Sequence, residues 1–274
     1  MKPYLAWRRP WLIAHRGGAS LRPENTLAAF EQAARIGADA FELDVHLSCD
    51  GVVVVFHDDE TSRLTGAPGT IEERTLAEVR SLDAGFGFTP DGGRSFPWRG
   101  RGLAPPTLGE VLAHFPAMRM NIEAKSSDPG LAEGLVRTVR EADAVERVCL
   151  GSVHDEQGER IRALLPEACH FLPQKAATCH LMASRASDAT GCPGGFEVAD
   201  LPYRLEGSDL ALIDRRTVQY FHAQGMAIFA WTVDEEDDMR ALLEAGADGI
   251  MTDRPDLLSR VLNRGVSASS DRFP

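Results

Sequence analysis

A strand-like pattern occupies residues 41–47, which read FELDVHL in one-letter code. Because successive side chains of a β-strand point to opposite faces, this pattern places Glu42, Asp44 and His46 on one face. A face with two carboxylates must be solvated, paired with cations or bound to a metal, since isolated buried carboxylates are costly. A solvated edge strand is one interpretation. The apolar run at residues 52–56 that follows favours a central strand instead.

A second stretch, MNIEAK at residues 120–125, has the same alternation and places Asn121, Glu123 and Lys125 on one face. Two separate strands therefore carry acids near their carboxyl ends, which is where β/α-barrel enzymes place their active sites. Glu42, Asp44 and Glu123 would form an oxygen-only ligand set, which suits Mg²⁺ or Ca²⁺ better than zinc. Structural ion pairs of these acids with Arg16 and Lys125 are the alternative interpretation.

Strand-like and helix-like stretches alternate along the whole chain. The strand-like runs are residues 11–15, 40–45, 52–57, 119–124, 148–153, 169–172, 227–232 and 249–252. Amphipathic helix-like stretches lie at 27–36, 131–142, 157–164, 215–224 and 235–245, and Asp214 and Asp234 are predicted N-caps. About eight such strands predict a parallel sheet closed into an α/β (TIM) barrel. We expect one domain over residues 1–274, with the barrel at about 11–262.

Two segments depart from a regular barrel. Only a few residues around Asp50-Gly51 separate the second and third strands, so that no helix fits between them. Asp-Gly favours a hairpin, which would place Asp44 opposite His57, but a parallel pairing stays open. The segment at about 59–106 is too long for an ordinary barrel loop and is predicted to be a small inserted subdomain or lid.

The composition excludes several functional classes. The chain has 274 residues, 43% of them hydrophobic, and a net charge of −12 that would repel nucleic acid. No apolar run reaches the roughly 18–20 residues of a transmembrane helix, and no signal peptide is recognisable, so we expect no stable membrane insertion. The five cysteines are scattered without a Cys-x-x-Cys pair. We therefore expect reduced thiols, without disulfides or zinc, in a cytoplasmic protein.

Strand ends also carry histidines and cations. His15 and His57 each end an apolar strand, and a pair of imidazoles can share the roles of general acid and general base. Arg16 and Lys125 provide positive charge beside the acids, and both residue types bind phosphate. Trp231 ends another strand, either as a wall for the apolar side of a substrate or as barrel packing.

Taken together, these motifs resemble the glycerophosphodiester phosphodiesterase family, in order, from about residue 11 to about residue 260. The motifs are His15-Arg16-Gly17, Pro23-Glu24-Asn25-Thr26, Glu42-Leu43-Asp44-Val45, Asp50-Gly51, His57-Asp58, Pro106-Thr107-Leu108, Asn121-Ile122-Glu123-x-Lys125, Trp231-Thr232-Val233 and Thr252-Asp253-Arg254-Pro255. Two positions depart from the family pattern: Ala124 is smaller than usual, and Val153-His154 stands where an aromatic residue is common. Neither departure removes a charged group of the motifs.

The resemblance implies a TIM barrel that hydrolyses glycerophosphodiesters to sn-glycerol 3-phosphate and an alcohol. It implies one divalent cation, Mg²⁺ or Ca²⁺, and the histidine pair as acid and base, with the attacking group either a glycerol hydroxyl or water. The implied roles are metal binding for Glu42, Asp44 and Glu123, catalysis for His15 and His57, and substrate binding for Arg16, Glu24, Lys125 and Trp231.

Two alternatives remain at this stage. The first is a lysophospholipase D-type or other phosphodiesterase activity on the same barrel, and the second is a non-catalytic barrel that binds phosphorylated ligands. The expected partner is a small-molecule glycerophosphodiester, and the sequence does not indicate an oligomeric state.

Overall fold

Nine β-strands form the framework of the protein, whose computed structural model describes residues 2–6, 10–186, 189–205 and 207–264. The strands are β1 (Trp11–Ala14), β2 (Ala40–Leu47), β3 (Val53–Val55), β4 (Arg119–Ala124), β5 (Val148–Gly151), β6 (Cys169–His170), β7 (Val198–Pro202), β8 (Ala227–Trp231) and β9 (Gly249–Thr252). Eight of them run parallel in the order β6-β5-β4-β2-β1-β9-β8-β7. A bridge between Phe171 and Val198 joins β6 to β7, so the sheet closes into the predicted barrel.

The helices surround this barrel. They are α1 (Leu27–Ile36), α2 (Ser62–Thr65), α3 (Leu76–Val79), α4 (Leu108–His114), α5 (Pro129–Glu141), α6 (Asp155–Leu164), α7 (Gln174–Ala186), α8 (Arg215–Ala223), α9 (Glu236–Ala245) and α10 (Pro255–Val261). Asp214 caps α8 by accepting from the Thr217 N–H, as predicted. The predicted cap Asp234 is wrong, because its side chain instead accepts from the Thr252 hydroxyl and the Asp253 N–H.

The eight-strand prediction is confirmed in number but not in membership. The run at 52–57 belongs to β3, which pairs antiparallel with β2 and lies outside the ring. The eighth barrel strand is β7, which the sequence reasoning missed. Its apolar residues are interrupted by Asp200 and end at Pro202, and proline is uncommon within central strands.

The β2–β3 connection is a hairpin, which settles the pairing that the sequence left open. Val45 pairs with Val55, and the Phe56 N–H donates to the Asp44 carbonyl. Asp44 therefore lies opposite Phe56 and not opposite His57, because the turn is longer than the two residues assumed. His57 follows one residue later, at the carboxyl end of the barrel.

The barrel encloses one apolar cluster and is wrapped by another. Inward-facing residues at the amino ends of the strands, among them Trp11, Ile13 and Phe229, pack with Tyr4 into a buried floor. Outward-facing residues of the same strands, such as Leu43 and Ile122, pack under the helices. The alternation read from the sequence therefore separates the barrel interior from its outer layer.

The segment at 59–106 carries α2 and α3 and long irregular stretches. It packs its own small apolar cluster, which includes Leu64, Ile71 and Val79, onto Val54 and Phe56 of the hairpin. Because the hairpin continues from β2, this segment is anchored next to the carboxyl end of the barrel.

One cysteine prediction is wrong. Cys179 of α7 and Cys192 in the following loop form a disulfide, with Cα atoms 5.6 Å apart. The two cysteines lie 13 residues apart, and this spacing did not indicate that they meet. Cys49, Cys149 and Cys169 are free. A cytoplasmic location stays a prediction, and its argument from reduced cysteines no longer holds for this pair.

Among the described residues, every helix falls short of the length and apolar character that crossing a bilayer requires.

Candidate active site

Three acids converge at the carboxyl ends of two neighbouring strands. Asp44 of β2 pairs in register with Glu123 of β4, and Glu42 lies two residues earlier on the same face of β2. One carboxylate oxygen from each lies within 4.8 Å of the others. Because β2 and β4 are adjacent and parallel, the local alternation of each strand is enough to bring these side chains together.

Burial and mutual repulsion shape the charges of these acids. Burial raises the pKa of Glu42 to about 8, and the nearby Asp44 carboxylate adds to the increase. Burial also raises the pKa of Glu123. Burial opposes ionisation of Asp44 too, but the charges of His57 and Lys125 outweigh it and hold the Asp44 pKa below its ordinary value.

This donor set fits a divalent cation. All the candidate ligand atoms are carboxylate oxygens, which hard cations prefer. Glu123 Oε1 is buried without a hydrogen-bond partner among the described residues, although carboxylate oxygens in such places are normally satisfied. A bound cation would both occupy this oxygen and offset the repulsion that raises the pKa of Glu42.

His15 immediately follows β1 and enters the same cluster. Its Nδ1 lies 2.7 Å from Asp253 Oδ1, and its Nε2 lies 3.8 Å from Glu42 Oε2. Burial lowers the His15 pKa, but the Glu42 and Asp253 carboxylates outweigh that effect and raise it to about 9. Because a carboxylate only accepts hydrogen bonds, Asp253 fixes the proton on Nδ1 and directs Nε2 toward the acids.

His57 has an equivalent arrangement built from its own neighbour. Its Nδ1 lies 2.7 Å from Asp58 Oδ1, and the Arg63 guanidinium in turn binds Asp58 through two hydrogen bonds. Burial raises the Asp58 pKa, but hydrogen bonds from His57 and Arg63 reverse this and place it well below its ordinary value. The His57 backbone carbonyl also lies 3.2 Å from Nε2 of the buried His46. The backbone and the ring of His57 are therefore both fixed in position by these contacts.

Arg16 occupies a tight turn after β1. Its φ is +50°, and the next residue, Gly17, has a φ of +82° in a place where an added Cβ would lie 2.8 Å from the Ala29 Cβ. The turn directs the Arg16 N–H to Glu42 Oε2 at 3.0 Å, and its guanidinium donates to Glu24 Oε1 at 2.9 Å. The predicted residues Arg16 and Glu24 thus lie together at the rim of the acidic cluster.

Lys125 follows β4, with Nζ 3.7 Å from Asp44 Oδ1 and 3.5 Å from Glu123 Oε2. Burial lowers the Lys125 pKa, but the Asp44 and Glu123 carboxylates outweigh it, so that the pKa lies above the ordinary value. The ammonium is therefore charged and held directly beside the acids. Asn25, at a φ of +56°, donates to Asp44 Oδ2 at 2.9 Å and orients that carboxylate.

Trp231 ends β8 at the same end of the barrel. It pairs with Pro202 of β7 and keeps 38% of its surface exposed. A side chain that only completed the barrel packing would be buried, as Trp11 is at the floor. Trp231 is separated from the Arg16 turn by the intervening strand β9.

A second group of possible metal ligands lies beside the first. Glu24, His57 and Asp58 offer ligand atoms within 4.8 Å of one another. Arg63 binds both Glu24 and Asp58, at 2.6–2.9 Å. The carboxylates of this second group are therefore already neutralised by a guanidinium, whereas Glu123 Oε1 of the first group has no partner among the described residues.

Sequence reasoning placed the seven central residues but missed several of their partners. Asp58, Asp253 and Asn25 were present in the motifs without an assigned role, and Arg63 and Glu72 were not singled out. Glu72 contacts His46 Nδ1 at 2.6 Å across the insertion. The adjacency of Asp58 to His57 was a usable signal. The other contacts depend on tertiary structure.

Comparisons with known proteins identify the family of the chain. The sequence model of the glycerophosphoryl diester phosphodiesterase family matches residues 15–257. A protein of Caldanaerobacter subterraneus subsp. tengcongensis named glycerophosphodiester phosphodiesterase is 34% identical over 264 residues, covering 93% of this chain and 98% of that protein.

Solved structures show the same fold. The glycerophosphoryl diester phosphodiesterase domain of an uncharacterized Mycobacterium tuberculosis protein superimposes with a TM-score of 0.81 at 23% identity, covering 94% of this chain and 100% of that one. An Oleispira antarctica phosphodiesterase, solved with its product sn-glycerol 3-phosphate, has a TM-score of 0.70 at 26% identity. The match covers 93% of this chain and 97% of that one.

Proposed function

The chain belongs to the glycerophosphoryl diester phosphodiesterase family and is an enzyme of that class, and we propose that it works with one divalent cation and two histidines. The products would be sn-glycerol 3-phosphate, as bound to the Oleispira antarctica relative, and an alcohol. The observation that carries the proposal is the convergence of Glu42, Asp44 and Glu123 between two histidines whose Nδ1 atoms are each held by a carboxylate.

Glu42, Asp44 and Glu123 would hold the cation, Mg²⁺ or Ca²⁺. The support is the all-oxygen donor set and the unpartnered buried oxygen of Glu123. When bound, such an ion supplies positive charge against the charge that develops on phosphate oxygens and lowers the pKa of a nearby hydroxyl. Asn25 keeps Asp44 oriented for this role through its amide hydrogen bond.

Arg16 and Lys125 would bind the phosphate. Arg16 presents a guanidinium at the rim, where Glu24 limits its movement, and Lys125 places a point charge next to Asp44 and Glu123. These two cations give an acidic protein a local anion site. Trp231 would contact the glycerol carbons with its exposed ring, on the far side of the Arg16 turn.

His15 and His57 would transfer the protons. With each Nδ1 donating to a carboxylate, Nε2 is the atom left to exchange a proton with the substrate. One imidazole removes a proton from the attacking group, a glycerol hydroxyl or water, and the other returns a proton to the oxygen of the departing alcohol. If the glycerol hydroxyl attacks, it forms a cyclic phosphate, and a water molecule then opens that ring to give sn-glycerol 3-phosphate. Asp253 and Asp58 act as positioning residues, because they fix the tautomer and the ring orientation.

The direct test is product analysis of the purified chain incubated with glycerophosphocholine and Mg²⁺ or Ca²⁺. We expect sn-glycerol 3-phosphate and choline in equal amounts. Release of phosphocholine and glycerol instead would mean cleavage of the other ester bond and would contradict the proposal. Tight binding of the substrate without any product would also contradict it.

A further inference from the structure

A pocket of about 380 Å³ lies between the loop that joins β1 to α1 and the segment at 84–102. Its apolar walls are Leu21, Phe88, Pro90, Pro97 and Trp98, and we call it the leaving-group pocket. Its volume is at the lower end of the range of small-molecule sites, so it can take a ring or a short chain. None of the roles proposed above uses it.

Two arginines also line this pocket. The Arg22 guanidinium lies 5.5 Å from the centre of the Trp98 ring and donates to the Leu21 carbonyl at 2.8 Å, and Arg101 is exposed. Within the part of the chain that the structure describes, neither forms an ion pair with a carboxylate, whereas the nearby Arg63 and Arg80 both do. In a protein of net charge −12, two such cations on one apolar pocket indicate an anionic ligand.

The pocket wall is held in place by internal contacts. Arg99 stacks 4.0 Å over the Phe86 ring and 3.9 Å over the Phe96 ring, and its Nε donates to the Phe86 carbonyl at 2.9 Å. Asp83 Oδ2 accepts from the Gly100 N–H at 2.7 Å and closes the segment. The aromatic wall is therefore a built feature and does not depend on a ligand to assemble it.

The position of the pocket indicates which part of the substrate would enter it. The β1–α1 loop provides Leu21 and Arg22 to the pocket and also carries Arg16 and Glu24 of the candidate site, so one loop connects the two. The insertion is tied to this loop by the Arg63 pair with Glu24. Trp231 lies beyond β9, on the opposite side of β1. If Trp231 contacts the glycerol, the pocket lies on the side from which the alcohol departs.

We propose that the leaving-group pocket selects glycerophosphodiesters whose departing alcohol has an apolar or aromatic body and a negative charge. This inference rests on the function proposed above and specifies its substrate class. A cationic alcohol such as choline is disfavoured, because Arg22 already covers the Trp98 ring and two guanidinium groups repel a positive charge. An anionic group meets both guanidinium groups, while its carbon skeleton packs on Phe88 and Pro97.

The test compares three synthetic diesters of sn-glycerol 3-phosphate that differ in one distant substituent of the departing alcohol. The alcohols are 4-carboxybenzyl, benzyl and 4-(trimethylammonio)benzyl alcohol, and each is assayed with the metal-loaded wild type. We expect kcat/KM to fall in that order, with about a tenfold difference between the anionic and cationic esters, mainly through KM. The double substitution Arg22→Gln and Arg101→Gln should bring this ratio close to one.

The matched control is Arg160→Gln, which removes an exposed arginine of the outer helix α6 and should leave the ratio at the wild-type value. Equal rates for the three esters in the wild type, or an unchanged ratio in the double variant, would overturn the inference while the proposed function stands. A preference for lysophosphatidylcholine that the double variant keeps would reassign the pocket to an acyl chain. No turnover of any ester or of glycerophosphocholine would instead refute the proposed function.

Discussion

The two ends of the barrel interior differ sharply although the same strands line both. At the floor, Trp11 of β1 and Phe229 of β8 pack with Tyr4 in a fully buried apolar cluster. At the mouth, the continuation of β1 provides His15, and β2 provides two acids. β1 and β2 thus change from apolar to charged inward-facing residues within about two alternations.

This difference separates stability from chemistry along the barrel axis. The floor contributes free energy of folding through burial of large apolar side chains, at roughly 25 cal/mol per Å². At the mouth, burial of the charged acids opposes folding. It raises the pKa of Glu42 and Glu123 and so favours their uncharged forms. We therefore expect substitutions at the mouth to abolish activity without unfolding the protein. Substitutions at the floor should lower the free energy of unfolding and leave the activity of the folded protein unchanged.

The largest effect is expected for Glu123→Gln at the mouth. The neutral amide removes one proposed metal ligand, and kcat/KM should fall at least about 10³-fold, because a bound cation contributes several kcal/mol of charge stabilisation. The free energy of unfolding of the metal-free protein should change little, since loss of the Glu123 contact with Lys125 is offset by removal of a carboxylate whose ionisation burial opposes, and Lys125 keeps its contact with Asp44. Steady-state kinetics and urea unfolding measure the two quantities. A large loss of stability in Glu123→Gln would contradict the proposed difference between mouth and floor.

The reverse result is expected for Phe229→Ala at the floor. Phe229 is fully buried with its ring centre 5.3 Å from that of Trp11, so its truncation should cost about 3–5 kcal/mol of unfolding free energy. The kcat of the folded protein, assayed at a temperature where the variant remains native, should match the wild type within about twofold. A kcat that drops together with stability would show that the floor controls the chemistry.

The histidines give the next effect. His15→Ala or His57→Ala should lower kcat at least about 10²-fold, the usual scale for loss of an acid–base group. His114→Gln is the control, because His114 lies on the outer helix α4 and contacts Glu31 there. Its kcat should equal that of the wild type. Near-wild-type kcat in either alanine variant would remove that histidine from the mechanism.

The smallest effect concerns Asp200, which lies between the two ends. Asp200 is inward-facing on β7, and burial raises its pKa to about 7, although a hydrogen bond from Asn121 opposes this. Since the folded pKa lies above the unfolded value, the protein loses stability as the pH rises from about 4 through about 7. Asp200→Asn removes this loss. The free energy of unfolding of the variant, relative to that of the wild type, should therefore increase by about 2–3 kcal/mol as the pH rises from about 5 to about 8.

Urea unfolding of both proteins across this pH range measures the Asp200 effect. The control substitution Asp209→Asn, at an exposed position outside the barrel, should give the same pH dependence as the wild type. If the difference between Asp200→Asn and the wild type is independent of pH, Asp200 is not the group that titrates.

The succession of about eight strand and helix patterns was enough to predict the barrel, and alternation along single strands was enough to put the central acids on one face. Glu42, Asp44 and Glu123 could be placed on inward faces because the period of a strand is two and their strands are adjacent. Contacts between distant segments could not be derived in that way. Asp253 orients His15 from a position 238 residues further along the chain, and no local pattern encodes that contact.

The missed strand and the missed disulfide each have a physical reason. β7 carries a partly buried acid, Asp200, at a position where apolar residues are expected, because Asn121 across the barrel donates a hydrogen bond to it. Cys179 and Cys192 meet in the folded chain, and a spacing of 13 residues does not indicate that contact. Tertiary structure overrides the pattern in both cases.

The central claim is that the acids at the mouth form a metal site on which hydrolysis depends. The most direct measurement is release of sn-glycerol 3-phosphate from glycerophosphocholine by the same preparation before chelation, after exhaustive chelation, and after addition of Mg²⁺ or Ca²⁺. We predict that chelation abolishes turnover and that one of the two cations restores it, in the wild type but not in Glu123→Gln. Full turnover by the chelated wild type would contradict the claim.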